Sequence, residues 1–293
     1  MLVFGHRILF EDAPELTLPS SGHEPQALGT LSVRSAPLPK FSYFTSPIPH
    51  SLQRVRFGAS VPIGEIDASS EVLMEVAGVV RLAWIPSESV ILYEPGDAYR
   101  PERLRFWIFH TFLPLILRIG GRFQILHVGA VEIAGRAQIF MAPSFGGKST
   151  LTDYFHRQGH PLLGDDTLGA MGKEDEAFLA VPSWPFHRPY RQAETLGDFT
   201  TNFRDLPLPF GTIFLLERAA PDAPIAFRRI EGVEKFRALR LGSFFRLAFL
   251  QEREFPLYGA LARSLRVEAV SLPWERARIP EFHARLLERV HRG

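Results

Sequence analysis

Two short segments carry residues whose types and spacing could do chemistry. The first is Ala142-Pro143-Ser144-Phe145-Gly146-Gly147-Lys148-Ser149, followed by Thr150. It matches the pattern G-x-x-x-x-G-K-[ST] at every fixed position except the first, where alanine replaces glycine. In that pattern successive backbone N–H groups and a helix N-terminus cradle phosphate oxygens, the lysine reaches the outer phosphates, and the hydroxyl helps to hold Mg²⁺. The second segment is the doublet Asp165-Asp166. One carboxylate of such a pair can orient a metal while the other takes the proton from an attacking hydroxyl. An aspartate at that place could equally cap a helix. Phosphoryl transfer relies mainly on positioning and charge neutralisation, which a lysine, a metal and paired carboxylates can supply. Lys148 also stands out by composition. The chain has 33 basic residues, and only Lys40, Lys148, Lys173 and Lys235 are lysines.

The elements around these residues have the order that a phosphate loop requires. "FQILHVGAVEI" reads as a β run and "RAQIFMA" as a second strand. In "KSTLTDYFHRQ", Leu151, Tyr154 and Phe155 fall on one helical face, and Gly159 closes the helix. "HPLLG" is a short strand leading into Asp165-Asp166. Alanine at position 142 is compatible with the loop if its φ is negative, and Gly146 beside the bulky Phe145 supplies backbone freedom. An altered loop shape that still binds phosphate is expected. Further on, "GTIFLLE" and "LRVEAVSLP" read as strands, "SFFRLAFL" as an amphipathic helix, and "IPEFHARLLERVHR" as a closing helix. That last helix has Phe282, Leu286, Leu287 and Val290 on one side. Upstream, residues 1–60 read as short strands and turns. "EVLMEVAGVVRLAWIPSESVILYEPG" holds two or three strands, and a helix runs from Pro101 to about Arg118, ended by Gly120-Gly121. The expected division is a β-rich region over 1–120, with its helix near 101–118, and a phosphate-loop domain over 121–293. The fold class is α/β.

Composition removes several function classes. There is no cysteine, which excludes disulfides, thiolate catalysis and cysteine-ligated metal sites. The net charge of +1 gives no basic excess for a nucleic-acid or membrane-surface partner. The most apolar run, Phe106 to Leu117, is too short to span a bilayer. The N-terminal residues lack the pattern of a secretory signal, so the cytoplasm is the expected location.

The spacing of these groups resembles one family. Gly147-Lys148-Ser149, then Gly159-His160, then Asp165-Asp166 is the layout of the HPr kinase/phosphorylase superfamily of P-loop serine kinases. "LHVGAVEIAGRAQIF", with His127 on the strand before the loop, is similar as well. The openings "FGHRILFEDAPELTLP" and "AGVVRLAWIPSESVILYEPG", and the later "PLPFGTIFLLE", resemble the HPr-kinase-related proteins of bacterial gene clusters, including those that phosphorylate lasso-peptide precursors. The specific match covers about residues 123–170. The resemblance implies an α/β fold with a C-terminal P-loop kinase domain of the HPr kinase type. It implies an ATP- and Mg²⁺-dependent kinase whose acceptor is a hydroxyl, most readily a serine of a peptide or small protein, and a homo-oligomer. Ala142 to Thr150 would bind the phosphates, Ser149 and Asp165 would face the metal, Asp166 would be the general base, and His127 would sit near the reacting phosphate. Two departures stand out. Phe145 occupies the loop's fourth position, a glycine in the family. The family's downstream "LExRGxG" segment, which carries a metal-binding glutamate, is replaced by "AVPSWPFHRPYRQ". The resemblance therefore does not extend to HPr as substrate or to a reverse phosphorylase reaction. A small-molecule kinase and a nucleotide-binding regulatory protein without transfer activity remain the alternative readings.

Lesser candidates are Arg188 and Arg191, which could clamp a phosphate or peptide, and Glu217, which could replace the missing metal carboxylate or simply be a solvated strand end. His156 and His160 are four apart, but Gly159 interrupts the helix between them, so a surface histidine and a helix-exit histidine are expected and no zinc site. The Phe/Leu stripe over 244–250 reads as core packing.

Overall fold

Short alternating runs of β-branched and aromatic residues make this a strand-rich chain. The computed structural model describes all residues except 20–25, 47, 51–52, 173–176, 189–193, 245–247 and 293. Contacts divide the chain into two units. One comprises Met1–Arg122, Arg191–Leu196 and Ala248–Leu250, and the other Phe123–Tyr190, Gly197–Leu247 and Gln251–Gly293.

Eight strands of the first unit form one sheet among the described residues: β1 (His6–Phe10), β2 (Gly29–Ser35), β3 (Tyr43–Phe44), β4 (Ile48–His50), β5 (Gln53–Ala59), β6 (Val72–Val76), β7 (Val80–Ile85) and β8 (Val90–Pro95). Their order is β1-β2-β8-β7-β6-β5-β3, with β4 also on β5. The segment read as two or three strands is thus three, β6 to β8. Gly78 (φ 69°) and Ser89 (φ 53°) make its turns. The expected helix begins at Pro101 and ends at Ile119, but it is not regular. α1 (Pro101–Trp107) passes into a π-helical stretch, Ile108–Phe112, before α2 (Leu113–Ile119). Pro114 is the cause: it has no N–H for the ladder and its ring would strike the carbonyl of residue 110. The amide of Leu113 bonds the Ile108 carbonyl instead.

The second unit is an α/β structure. Its strands are β9 (Phe123–Leu126), β10 (Gly129–Ile133), β11 (Arg136–Met141), β12 (Leu162–Gly164), β13 (Leu168–Met171), β14 (Leu179–Val181), a separate hairpin of β15 (Phe186–His187) and β16 (Asp198–Phe199), then β17 (Leu208–Ala219), β18 (Ala226–Arg229) and β19 (Arg266–Pro273). The main sheet runs β12-β10-β11-β17-β14-β13-β9, with β19 on β17 and β18 on β19. β11, β17 and β19 are mutually parallel and adjacent. Their side chains alternate between two cores. Phe140, Phe214, Leu216, Val270 and Leu272 pack with Leu151 and Phe155 of α3 (Lys148–Arg157) and with Phe282 and Leu286 of α6 (Ile279–Arg292). Ile139, Met141, Ile213, Val267 and Ala269 pack on the other side, with Leu239 of α4 (Gly232–Leu241) and Tyr258 and Leu261 of α5 (Ala248–Ser264). No helix among the described residues is long and apolar enough to cross a membrane.

Three expectations need correction. The run 123–133 is two strands, because the amides of His127 and Val128 leave the ladder for the carbonyls of Gly242 and Asp166. The helix placed on "SFFRLAFL" starts only at Ala248 and continues to Ser264, across Pro256. Ser243 instead bridges to Leu126, and residues 245–247 lie outside the described residues. The strand ending at Glu217 runs on to Ala219, because β19 pairs with it to its end.

Close backbone approach fixes α3 against β10. A Cβ on Gly129 would overlap Thr152 Oγ1, which itself bonds the Lys148 carbonyl at 3.0 Å. Gly129→Ala should cost about 1–3 kcal/mol by overpacking, and Thr152→Ala in the same chain should recover much of that. Urea unfolding of the single and double variants measures the coupling.

Candidate functional site

The segment from Ala142 to Gly147 joins the end of β11 to the start of α3, and its shape follows from a few local demands. Gly146 donates its N–H to the Pro143 carbonyl at 3.0 Å. A Cβ on Gly146 would stand 2.5 Å from that of Ala142 and 2.9 Å from the Pro143 carbonyl oxygen. Gly147 has φ 85° and starts the helix, with no side chain capping it. The first-turn amides are therefore presented at the helix N-terminus, where anions are favoured. Ala142 is not among the residues of positive φ, so its methyl group is compatible with the loop. Phe145 differs from expectation. Phe145 takes φ 63° itself, so Gly146 does not relieve it. Gly146 is needed for close approach instead. The Phe145 ring projects into solvent. Ser144 lies in the same exposed bend, while Ser149 and Thr150 belong to the first turn of α3 and are half-buried. Lys148 is buried, and its Nζ donates to the carbonyls of Ala142 (2.9 Å) and Pro143 (3.3 Å).

The acidic doublet follows β12 directly. A Cβ on Gly164 would overlap the Thr167 carbonyl, so the chain turns sharply into Asp165. Asp165 is 3% exposed. Burial pushes its carboxyl up to about 7, and the neighbouring charge of Asp166 adds to this; the Arg188 amide and guanidinium and the Ser149 hydroxyl act in the opposite direction. Oδ2 accepts the Arg188 N–H at 2.7 Å. Oδ1 is buried and has no hydrogen-bond partner among the described residues. Asp166 is tied down at several points. Its carbonyl accepts the Val128 N–H at 3.2 Å and lies 3.0 Å from His127 Nδ1. Its Oδ2 accepts Arg188 Nη2 at 2.9 Å, and its Oδ1 lies 3.4 Å from His127 Nδ1.

The fold thus brings together Ser149, Asp165, Asp166, His127 and Arg188. Arg188 bridges both aspartates, a role that its Pro-rich, aromatic surroundings did not single out. Arg191 lies outside the described residues. Glu217 lines a cavity with Pro143 to Gly146 but is half exposed, 3.9 Å from Arg228. The two helix-end histidines turn to different partners. His156 Nε2 meets Thr200 Oγ1 at 3.1 Å, His160 Nε2 meets His283 Nε2 at 3.0 Å, and no metal-binding group of three His, Asp or Glu occurs among the described residues. The residues do fit a small hard cation of the Mg²⁺ type: an orphaned, buried carboxylate oxygen next to a hydroxyl is the donor chemistry such an ion takes. Trp274 and Arg218 were missed in the sequence. They reach the loop from the ends of β19 and β17, and no motif marks either of them.

No family model matches the chain, and no curated protein sequence matches it. Among solved structures it is similar to the HPr(Ser) kinase/phosphatase from Coxiella burnetii, at 13% identity and a TM-score of 0.37, over 58% of this chain and 90% of that one.

The raised pKa of Asp165 has a consequence for stability. Between its unfolded value, near 4, and about 7, the folded chain holds a proton that the unfolded chain has released. That contribution is therefore present at low pH and lost as pH rises from about 4 to about 7, on the order of 4 kcal/mol. Asp165→Asn should remove this slope and be the more stable chain at pH 8. Denaturant titrations at pH 5 and pH 8 compare the two.

Proposed function

We propose that this protein is an ATP-dependent kinase that transfers the γ-phosphoryl group to a hydroxyl, most readily a serine of a peptide or small protein. One observation carries the reading: the uncapped N-terminus of α3, with the buried Lys148, presents Ser149 from its first turn to Asp165, the buried member of the carboxylate doublet. The site lies at the carboxyl ends of the parallel strands, where open α/β sheets place their ligands.

In this scheme the amides of the loop and of the first α3 turn hold the phosphates of ATP, and Lys148 leaves its loop carbonyls for the outer phosphate oxygens. Ser149 and Asp165 Oδ1 would hold Mg²⁺, which when bound neutralises phosphate charge. Asp166 accepts the proton of the acceptor hydroxyl. The acceptor oxygen bonds to the γ-phosphorus, the bond to the β,γ-bridging oxygen breaks, and ADP leaves with that electron pair. Arg188 orients Asp166 through Oδ2, and His127 lies beside Oδ1. A strong base is not required, because bond formation to the acceptor lags in a loose transition state. Mg²⁺ would also keep Asp165 ionised against its burial.

The same ion pair favours a second reading. With Asp166 Oδ2 already held by Arg188, the chain could bind nucleotide and act as a regulator without transferring phosphate. A substitution pair separates the two. Lys148→Ala should weaken ATP binding roughly tenfold or more by loss of charged hydrogen bonds. Asp166→Asn should keep ATP binding and abolish transfer of γ-label into the proteins or peptides of a cell extract. Unlabelled extract with the unaltered chain, despite ATP binding, would favour the regulator. Label in metabolites alone would point to a small-molecule acceptor.

A further inference from the structure

Resting on the nucleotide reading above, we propose that the indole of Trp274 is the platform on which the nucleotide's base stacks, in a cavity at the start of α3. The cavity measures about 200 Å³, and Gly147, Thr150, Leu272, Trp274, Arg276 and Ile279 line it. Whole-ligand pockets run to ~300–1,000 Å³. This one therefore suits a single ring system whose phosphates lie outside it. The phosphate loop is at its rim, through Gly147 and Thr150.

The direction of the nucleotide selects this cavity. Lys148 serves the outer phosphates, and the acidic doublet marks the reacting end. The innermost phosphate then lies toward the first turn of α3, and the nucleoside leaves the loop on the Thr150 side. Trp274 is held there by its backbone. Its N–H donates to the Ala219 carbonyl at 3.3 Å, so the residue after β19 is tied to the last residue of β17. Its ring lies against Gly147, where a Cβ would come 3.2 Å from the indole edge. Trp274 is 38% exposed, which for a ring anchored in this way leaves surface for a ligand.

A second cavity of about 210 Å³ borders the same indole and is lined by Pro143 to Gly146, Glu217 and Arg218. It is the poorer place for a nucleotide. The Arg218 guanidinium, 4.9 Å from the ring centroid, already covers the indole from that side. The first cavity leaves its side of the indole uncovered; Glu275 and Arg276 stand together among its lining residues, with the apolar side chains of Leu272 and Ile279 beside them, which is the setting for stacking. A purine, with the larger π surface, should be preferred to a pyrimidine.

The test uses the full chain with Mg²⁺, and two probes: ATP and inorganic tripolyphosphate. Base–aromatic stacking predicts that Trp274→Ala weakens ATP binding roughly tenfold to a hundredfold, while tripolyphosphate binds as before and the preference for ATP over UTP disappears. Trp274→Phe keeps a ring against Gly147 and should retain most of the ATP affinity. If Trp274→Ala binds ATP as the unaltered chain does, the base platform is wrong and the kinase reading stands. Equal loss of ATP and tripolyphosphate would assign Trp274 to holding the loop's shape and would overturn the proposal. If the unaltered chain binds neither probe, the phosphate-loop reading itself fails, and this inference with it.

Discussion

Burying a carboxylate is costly, and the candidate site of the second unit is arranged around one such group. Asp165 sits under the start of α3 with one oxygen bonded to a backbone amide and the other without a hydrogen-bond partner among the described residues. An ionised carboxylate in apolar surroundings is held only when cations or donors compensate it. Here the compensation is incomplete, which is why its proton is retained to about pH 7. A purely structural role would be better served by asparagine or by an apolar residue of similar volume. The unsatisfied oxygen gives the position a reason to be acidic only if something cationic reaches it. Perturbed groups of this kind gather where charge must be managed during a reaction.

Arg188 limits what that burial costs. Its amide serves Asp165 and its guanidinium serves Asp166, so one residue from the segment after β15 constrains both acids. The planar guanidinium can hold a carboxylate in a fixed orientation, which a lysine could not do as well. The doublet also depends on the gap between β9 and β10. If residues 127 and 128 stayed in the ladder, the Val128 amide could not hold the Asp166 carbonyl, and His127 would not face the doublet. The interruption of that strand is thus part of the site.

Much of this was legible in the sequence because the signals were local. The glycine pair, Lys148 and Ser149 follow a strand and open an amphipathic helix, and each of those features sits within a few residues of the next. The apolar runs "GTIFLLE" and "LRVEAVSLP" marked two strands, though not that they pair in parallel, and Phe282 and Leu286 identified the buried face of α6. What was not legible depends on long-range pairing. The break at His127 arises because its backbone bonds to Gly242. The extension of β17 beyond Glu217 arises because β19 continues beside it. The Gln251–Ser264 part of α5 includes Pro256 and alternates charge with apolar residues, so no clear helical stripe announces it. Trp274 carries no local signal, because its place beside the loop comes from the pairing of β19 with β17.

Phe145 shows how strain and exposure can coexist in such a loop. A bulky side chain at positive φ costs of order 1 kcal/mol or more, and burial repays nothing here, since the ring is 86% exposed. The left-handed turn at this position is needed for the loop to fold back over Lys148, and glycine would take it without strain. The loop shape is therefore enforced from outside the residue. Gly146 packs against Ala142 and Pro143 on one side, and Lys148 grips the carbonyls of Ala142 and Pro143 from within. That arrangement also limits how the lysine can work. While its ammonium group holds those carbonyls it stabilises the strained turn. In the proposed nucleotide complex, phosphate oxygens would take the ammonium group, and the phosphate would have to hold the loop through its amides instead. Under that proposal the strain at Phe145 would be offset by the lysine before an anion binds and by the anion afterwards.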